Sequence, residues 1–251
     1  HNTPIDGAND GASGTAVLIE MGKIIPKMNL SHSVKLFFTD AEDQGVRPGI
    51  YGSKAWAENR TDDELSNISA FIVIDMIGDS DLHFTHVWPG TSELWLTIQS
   101  LAEALGLVEG EDDCLGNPGA DVFDIETSYG VIDDHVAAFE RGVPAIDIID
   151  IHSGEGADKW GGYWHTHNDT IDKVSAESLG RIGQLLELGL LSESWVLDSN
   201  FSDYNNSNEL KQNPESNEKT TIKNSFTLGI LSITFTLFLV IFILYYRIKN
   251  K

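Results

Sequence analysis

Short apolar runs separated by amphipathic stretches pattern the chain up to about residue 198. Residues 34–38 and 71–75 are apolar runs of strand length, and 143–149 read as another strand. Residues 82–87 alternate apolar and polar side chains, as a half-buried strand does. In residues 92–105, Leu94, Leu96, Ile98, Leu101 and Leu105 recur at helical spacing, and the Leu- and Ile-rich stretch 176–197 reads as a second helix. Residues 10–22 read as a loop opening into a helix, with small residues at its mouth. Strands alternating with helices predict an α/β fold, a mostly parallel mixed sheet flanked by helices. No internal repeat is visible.

The pattern changes twice beyond that point. Residues 199–224 are rich in Asn, Ser, Glu and Lys, bury almost nothing, and read as a disordered polar linker. Residues 225–246 carry no charge at all, and about 20 such residues span a hydrocarbon core of about 30 Å. A C-terminal transmembrane helix is expected there. Tyr245 and Tyr246 end it as an interfacial belt, and the basic tail 247–251 with Arg247, Lys249 and Lys251 is expected to be cytoplasmic. The expected protein is single-pass, with the globular domain 1–198 outside. The chain starts at His1 without Met or a signal sequence, so either a removed signal or a missing N-terminal part is expected.

Charge narrows the range of partners. The formal net charge of −23 is spread over the globular part, which argues against nucleic acid as a partner. Cys114 is the sole cysteine, so no intrachain disulfide and no cysteine-based metal site can form.

In doubly covered parallel sheets, ligands bind beyond the carboxyl ends of the strands. The polar residues following the apolar runs are acidic: Asp40, Glu42 and Asp43, then Asp75, then Asp147 and Asp150. Carboxylates converging on one rim repel each other unless a cation sits among them. Each has a bland reading alone: Asp10 as a helix N-cap, Glu42 and Asp43 as a solvated turn, Asp75 as a loop-start residue bonding backbone. Their combination favours a metal.

Motifs in consistent order give this argument a family. Residues 3–14, ending Asn9-Asp10-Gly11-Ala12-Ser13-Gly14, resemble the segment of bacterial-type glutaminyl cyclases that supplies an Asp metal ligand. Phe37 to Gly45 is similar to the family's acidic pair, Ile74 to Gly78 to a strand end bearing an Asp, and Asp133-Asp134-His135 with Arg141 to Asp147 to its buried acidic block. Tyr163 to Thr170 resembles the segment with the ligand His. The chain is therefore identified as a member of the zinc-dependent glutaminyl cyclase and aminopeptidase superfamily, metallopeptidase family 28, truncated at its N-terminus. The resemblance runs to about Leu191.

The resemblance implies Asp10, Asp43 and His165 as metal ligands and Glu42 as the proton shuttle. It places Asp133 and Asp75 in the surrounding proton network and Trp164 in the substrate pocket. It implies one Zn2+, with a second through Asp75 as the rival arrangement. Two carboxylates and one imidazole leave an open position on a tetrahedral metal, as catalytic zinc requires. His167 is expected to be a supporting or surface group. The family's upstream His-x-Asp strand has no counterpart, His1 being read as an ordinary loop residue, so an open sheet flank beside 34–38 is expected. The implied activity is glutaminyl-peptide cyclotransfer on peptide or protein N-termini. A zinc aminopeptidase is the alternative, and an inactive membrane-tethered binding ectodomain the second alternative.

Overall fold

The computed structural model describes residues 3–43 and 49–197. His1, the linker, the apolar stretch 225–246 and the basic tail lie outside the described residues, so the expectations made for them are neither met nor refused. Among the described residues no helix is long and apolar enough to cross a membrane.

Helix α1 (Ala12–Ile24) forms where the small residues give way to Val17 and Met21, four apart and both buried. Ile25 and Pro26 then turn the chain into a 3-10 segment, since proline has no N–H to continue the helical ladder. Next come α2 (Tyr51–Glu58) and α3 (Asp62–Leu65), the latter begun by a capping box between Thr61 and Glu64. The strands β1 (Phe71–Asp75) and β2 (Phe84–Trp88) lead into α4 (Ser92–Ala104). Then follow β3 (Phe123–Gly130), the short α5 (His135–Phe139) and β4 (Ala145–Ile149). Two-residue strands β5 (His152–Ser153) and β6 (Gly161–Gly162) precede α6 (Ala176–Leu191).

Among the described residues every strand pair is parallel: β1 with β4, β2 with β3, β5 with β6. The expected mixed sheet is thus purely parallel in its ladders, the antiparallel component being one isolated bridge between Asp112 and Pro118. Nor is it one continuous ladder. Beside β4, the backbone of Ala145 bonds Thr91, through its N–H (2.7 Å) and hydroxyl (2.9 Å), instead of a strand residue. Helices α1, α4 and α6 pack together over the main apolar core, with Ile98, Ile146, Ile182 and Leu185 fully enclosed. Helices α2 and α5 pair on their own cluster around Ile50, Ala57 and Val136, and α5 lies against β1 and β4. Helices therefore flank parallel strands, as the alternating pattern predicted.

Two expectations need correction. Residues 34–38 carry no strand pairing; Phe37 is held instead by ring contacts with Trp56 (5.6 Å) and Phe71 (6.2 Å). A strand exists only by exchanging backbone bonds with a partner. β1 is only partly buried at all five positions, whereas β4 is buried at all five. The last helix, expected to reach residue 197, ends at Leu191. Trp195 folds back over Gly189, where any side chain would collide with its ring, and the chain must turn to bring it there.

Candidate metal centre

Three segments far apart in sequence deliver three donors to one point. The Nε2 of His165 lies 3.2 Å from Asp10 Oδ2 and 2.7 Å from Asp43 Oδ2. One ligand atom from each of Asp10, Asp43 and His165 falls within 4.8 Å of the other two. Ligands about 2.0–2.2 Å from a tetrahedral ion stand roughly 3.3–3.6 Å apart, so the His165–Asp10 edge is already near that spacing and the shorter His165–Asp43 edge would open by about 0.6 Å or more to admit an ion.

Asp10 is held by a backbone clamp. Asp169, fully buried, accepts the N–H of Asn9 (2.8 Å) and of Asp10 (3.1 Å) on its two carboxylate oxygens. Asn9 in turn receives the Gly78 N–H on its side-chain oxygen (2.7 Å), and Ser13 links the Asn9 carbonyl (2.5 Å) to the Ile77 N–H (3.1 Å). Gly14 lets α1 approach the end of β1, because a Cβ there would collide with the Ile74 carbonyl. The N-cap position is Gly11, with no side-chain cap bond, so Asp10 is not the ordinary N-cap it resembles in isolation.

The acidic pair is carried by α2. Its leading N–H groups, which a helix leaves unpaired, are satisfied by the carbonyls just ahead: Ile50 by Glu42 (2.6 Å), Tyr51 by Ala41 (3.2 Å) and Gly52 by Asp40 (3.2 Å). His165 rests against Trp164, their ring centroids 3.9 Å apart and nearly parallel, and Trp164 lies 5.0 Å from Trp160. Ala41, Met76 and His165 all have positive φ (55°, 50° and 53°), a region costly for such residues. Each adjoins or is a site residue, although Asn29, Ile50, Trp160 and Glu193 adopt the same region elsewhere in the chain.

Around the triangle lies a set of carboxylates whose electrostatic neighbours, among the described residues, include no Lys or Arg. Burial, with Asp133 and then Asp43, raises Glu42 to about 9. Burial raises Asp10 to about 6 even though His165 pulls it down. Asp133, 4 % exposed, is raised to about 6 by its burial and by Asp134. Asp75, the last residue of β1, keeps some residue surface, yet protein atoms enclose its carboxylate densely. That enclosure, with Asp133 and Asp10, pushes it well above the usual carboxylate range. Asp147, fully buried in β4, is likewise raised by burial and by Asp133 and Asp75. Such a group is electrostatically incomplete without a cation.

All of the expected site residues are therefore among the described ones. Asp10, Asp43 and His165 come together; Glu42 and Asp75 feel their field, while Asp75 stands outside the three-donor cluster. Trp164 packs on His165. His167 is exposed and meets the Thr3 hydroxyl at 3.1 Å. Sequence reading missed the supporting roles of Asp169 and Asn9, and named Asp147 only as one of the acidic residues that follow the apolar runs. Asp169 sits four residues after His165 inside the motif already quoted, which was its available signal.

Parallel strands bearing carboxylates, together with an Asp–Asp–His triangle, make a site able to hold a divalent metal. The chain belongs to peptidase family M28, whose model matches residues 1–188. It is 25% identical over 187 residues to aminopeptidase YwaD of Bacillus subtilis (strain 168), a match covering 72% of this chain and 36% of that protein. It is 23% identical over 215 residues to the glutaminyl-peptide cyclotransferase of Boiga irregularis, covering 74% and 55%. Among solved structures, an Acidobacteriales bacterium glutaminyl cyclase is similar with 33% identity and a TM-score of 0.59, covering 75% of this chain and 62% of that one. The chain thus spans about a third to a little over half the length of these curated relatives.

Proposed function

We propose that this chain carries the catalytic site of a zinc-dependent glutaminyl-peptide cyclotransferase acting on peptide or protein N-termini. The observation that carries the reading is the Asp10–Asp43–His165 triangle with Glu42 beside it. The donor set fits the ion: two carboxylates and an imidazole converge, and among the described residues no basic side chain acts on the enclosed carboxylates. Zinc rather than another divalent ion is favoured by the imidazole donor and by the similarity to a Zn-dependent exopeptidase from Parabacteroides distasonis. One ion suffices for the cluster, since Asp75 lies outside it.

Bound zinc would polarise the γ-carboxamide of an N-terminal Gln. The α-amine attacks the γ-carbonyl carbon within the same residue, so a C–N bond forms, the amide C–N bond breaks and ammonia leaves. Glu42 takes the proton from the attacking nitrogen and returns it to the departing one. In the metal-free site Glu42 is raised to about 9, and a dication in the triangle would lower it toward the range where such transfer works best. Asp133 and Asp75 orient that carboxyl, and Trp164 offers an apolar wall. The attacking and attacked groups are joined, so positioning supplies much of the rate.

The 33% identity to a glutaminyl cyclase favours this over the aminopeptidase reading, in which Glu42 would activate water. Zinc-loaded protein is to be assayed with a Gln-peptide and with Leu-anilide. Ammonia release without cleavage supports cyclisation, amine release marks an aminopeptidase, and silence on both marks a binding ectodomain. The linker 199–224, the uncharged stretch 225–246 and the basic tail belong to the same proposal, as a membrane tether with the site outside. Protease added to intact cells should release the domain; a domain protected until permeabilisation would reverse the orientation.

A further inference from the structure

Around Asp147 of β4, a chain of buried polar atoms on His135, Asp147 and Asp133 is left without conventional partners among the described residues. His135 is fully buried, and its Nε2 lies 2.6 Å from the carbonyl oxygen of Pro89. A carbonyl can only accept, so Nε2 carries the hydrogen. With His135 neutral, Nδ1 is then a bare lone pair, and it has no partner except Asp147 Oδ2 at 3.9 Å. Asp147 also makes a side-chain hydrogen-bond contact with Asp133. One Asp133 oxygen accepts the N–H of Asp134, and the other is buried without a conventional partner. Asp147 itself, 0% exposed, has two buried oxygens in the same condition.

Asp147 thus lies between two acceptors, and among the described residues no Lys, Arg or backbone donor is directed at it. An ionised Asp147 would put acceptor against acceptor on both sides, in a fully desolvated place. We infer that Asp147 is a neutral carboxylic acid whose O–H is donated to Asp133, making it a positioning residue that keeps the Asp133 carboxylate fixed beside Glu42. The inference rests on the cyclase reading for its consequence in catalysis, but not for the proton itself. Desolvation of Asp147 and the adjacent Asp133 and Asp75 carboxylates act in the same direction. Desolvation also keeps His135 neutral, lowering it to about 4. A single proton shared in this way leaves Asp133 as the anion that faces Glu42, and prevents a second buried negative charge from pushing Asp133 aside.

The test compares Asp147→Asn, which keeps an N–H donor, with Asp147→Leu, which removes it at similar volume, both in the full zinc-loaded chain. Infrared difference spectra of wild type against Asp147→Asn at neutral pH should show the carbonyl stretch of a protonated carboxylic acid only in wild type. Asp147→Asn should keep kcat on a Gln-peptide within about threefold, whereas Asp147→Leu should lose about 10- to 100-fold in kcat with KM and zinc content little changed. No acid band assignable to Asp147, or an Asn variant as impaired as the Leu variant, overturns the inference. If wild type itself turns over no Gln-peptide, the cyclase reading fails, and the infrared band still decides whether Asp147 holds the proton.

Discussion

Replacing Asp169 by Asn tests how the metal triangle is held. The two Asp169 oxygens accept the N–H groups of Asn9 and Asp10 at 2.8 and 3.1 Å, in a fully buried position. Hydrogen bonds to a charged group contribute about 1.5–3 kcal/mol each. Asn keeps one acceptor oxygen, but its NH2 must then face the second backbone N–H, donor against donor. The loss is therefore about one charge-assisted bond plus an unsatisfied buried donor, roughly 3 kcal/mol in all. Part of it falls on the fold, where about 3 kcal/mol lowers the Tm of a domain this size by roughly 6–12 °C. Part falls on Asp10, whose carboxylate is aimed by this backbone, so zinc affinity should drop about 10- to 100-fold. Competition with a chromophoric chelator gives the affinity, and thermal melting of metal-free and zinc-loaded samples gives the rest. A variant that melts lower yet binds zinc as wild type does would refute the link between the clamp and the ligand.

Asp10→Ala and His165→Ala should each lose bound zinc on metal analysis, because either change removes one of three donors. Glu42→Gln should retain zinc and lose turnover by about 10²- to 10⁴-fold, and zinc lost from that variant would contradict its role as the proton carrier. In the metal-free protein, Glu42 at about 9 and Asp133 at about 6 lie above their unfolded values, so their contribution is full below about pH 4 and is lost as pH rises through 6 and 9. The buried His86 and His135, lowered to about 4, act oppositely only below 6.5, so metal-free Tm should fall between pH 6.5 and 9. A Tm that rises across that interval would count against the enclosed carboxylates.

The elements legible in the sequence were those whose burial follows a single period. α1, β1, α4 and β4 stand close to where the apolar spacing put them, and β2 is displaced by only two residues at its start. β3 escaped because its pairing with β2 shifts between Thr85 and His86, which breaks the two-residue rhythm of burial. α5 is five residues long, too short for helical spacing to register. Residues 34–38 have the composition of a strand, but composition cannot report whether a partner is present. In the site, Asp10, Glu42, Asp43 and His165 were visible through motif and position after strands. Asp147 was visible as an acid in a strand, but its meaning depends on the His135 tautomer fixed by Pro89, 46 residues from that histidine. Asp169 likewise acts on a backbone 159 and 160 residues away, which no local pattern encodes.

The central claim is that this site closes an N-terminal Gln onto itself rather than adding water to a peptide bond. A Gln-peptide incubated with the zinc-loaded protein in heavy-oxygen water, followed by mass spectrometry, distinguishes the two directly. The account predicts a full-length product lighter by one ammonia and carrying no heavy oxygen, absent when Glu42→Gln replaces wild type. Release of free Gln, with heavy oxygen in its new carboxylate, would contradict it and make the chain an aminopeptidase.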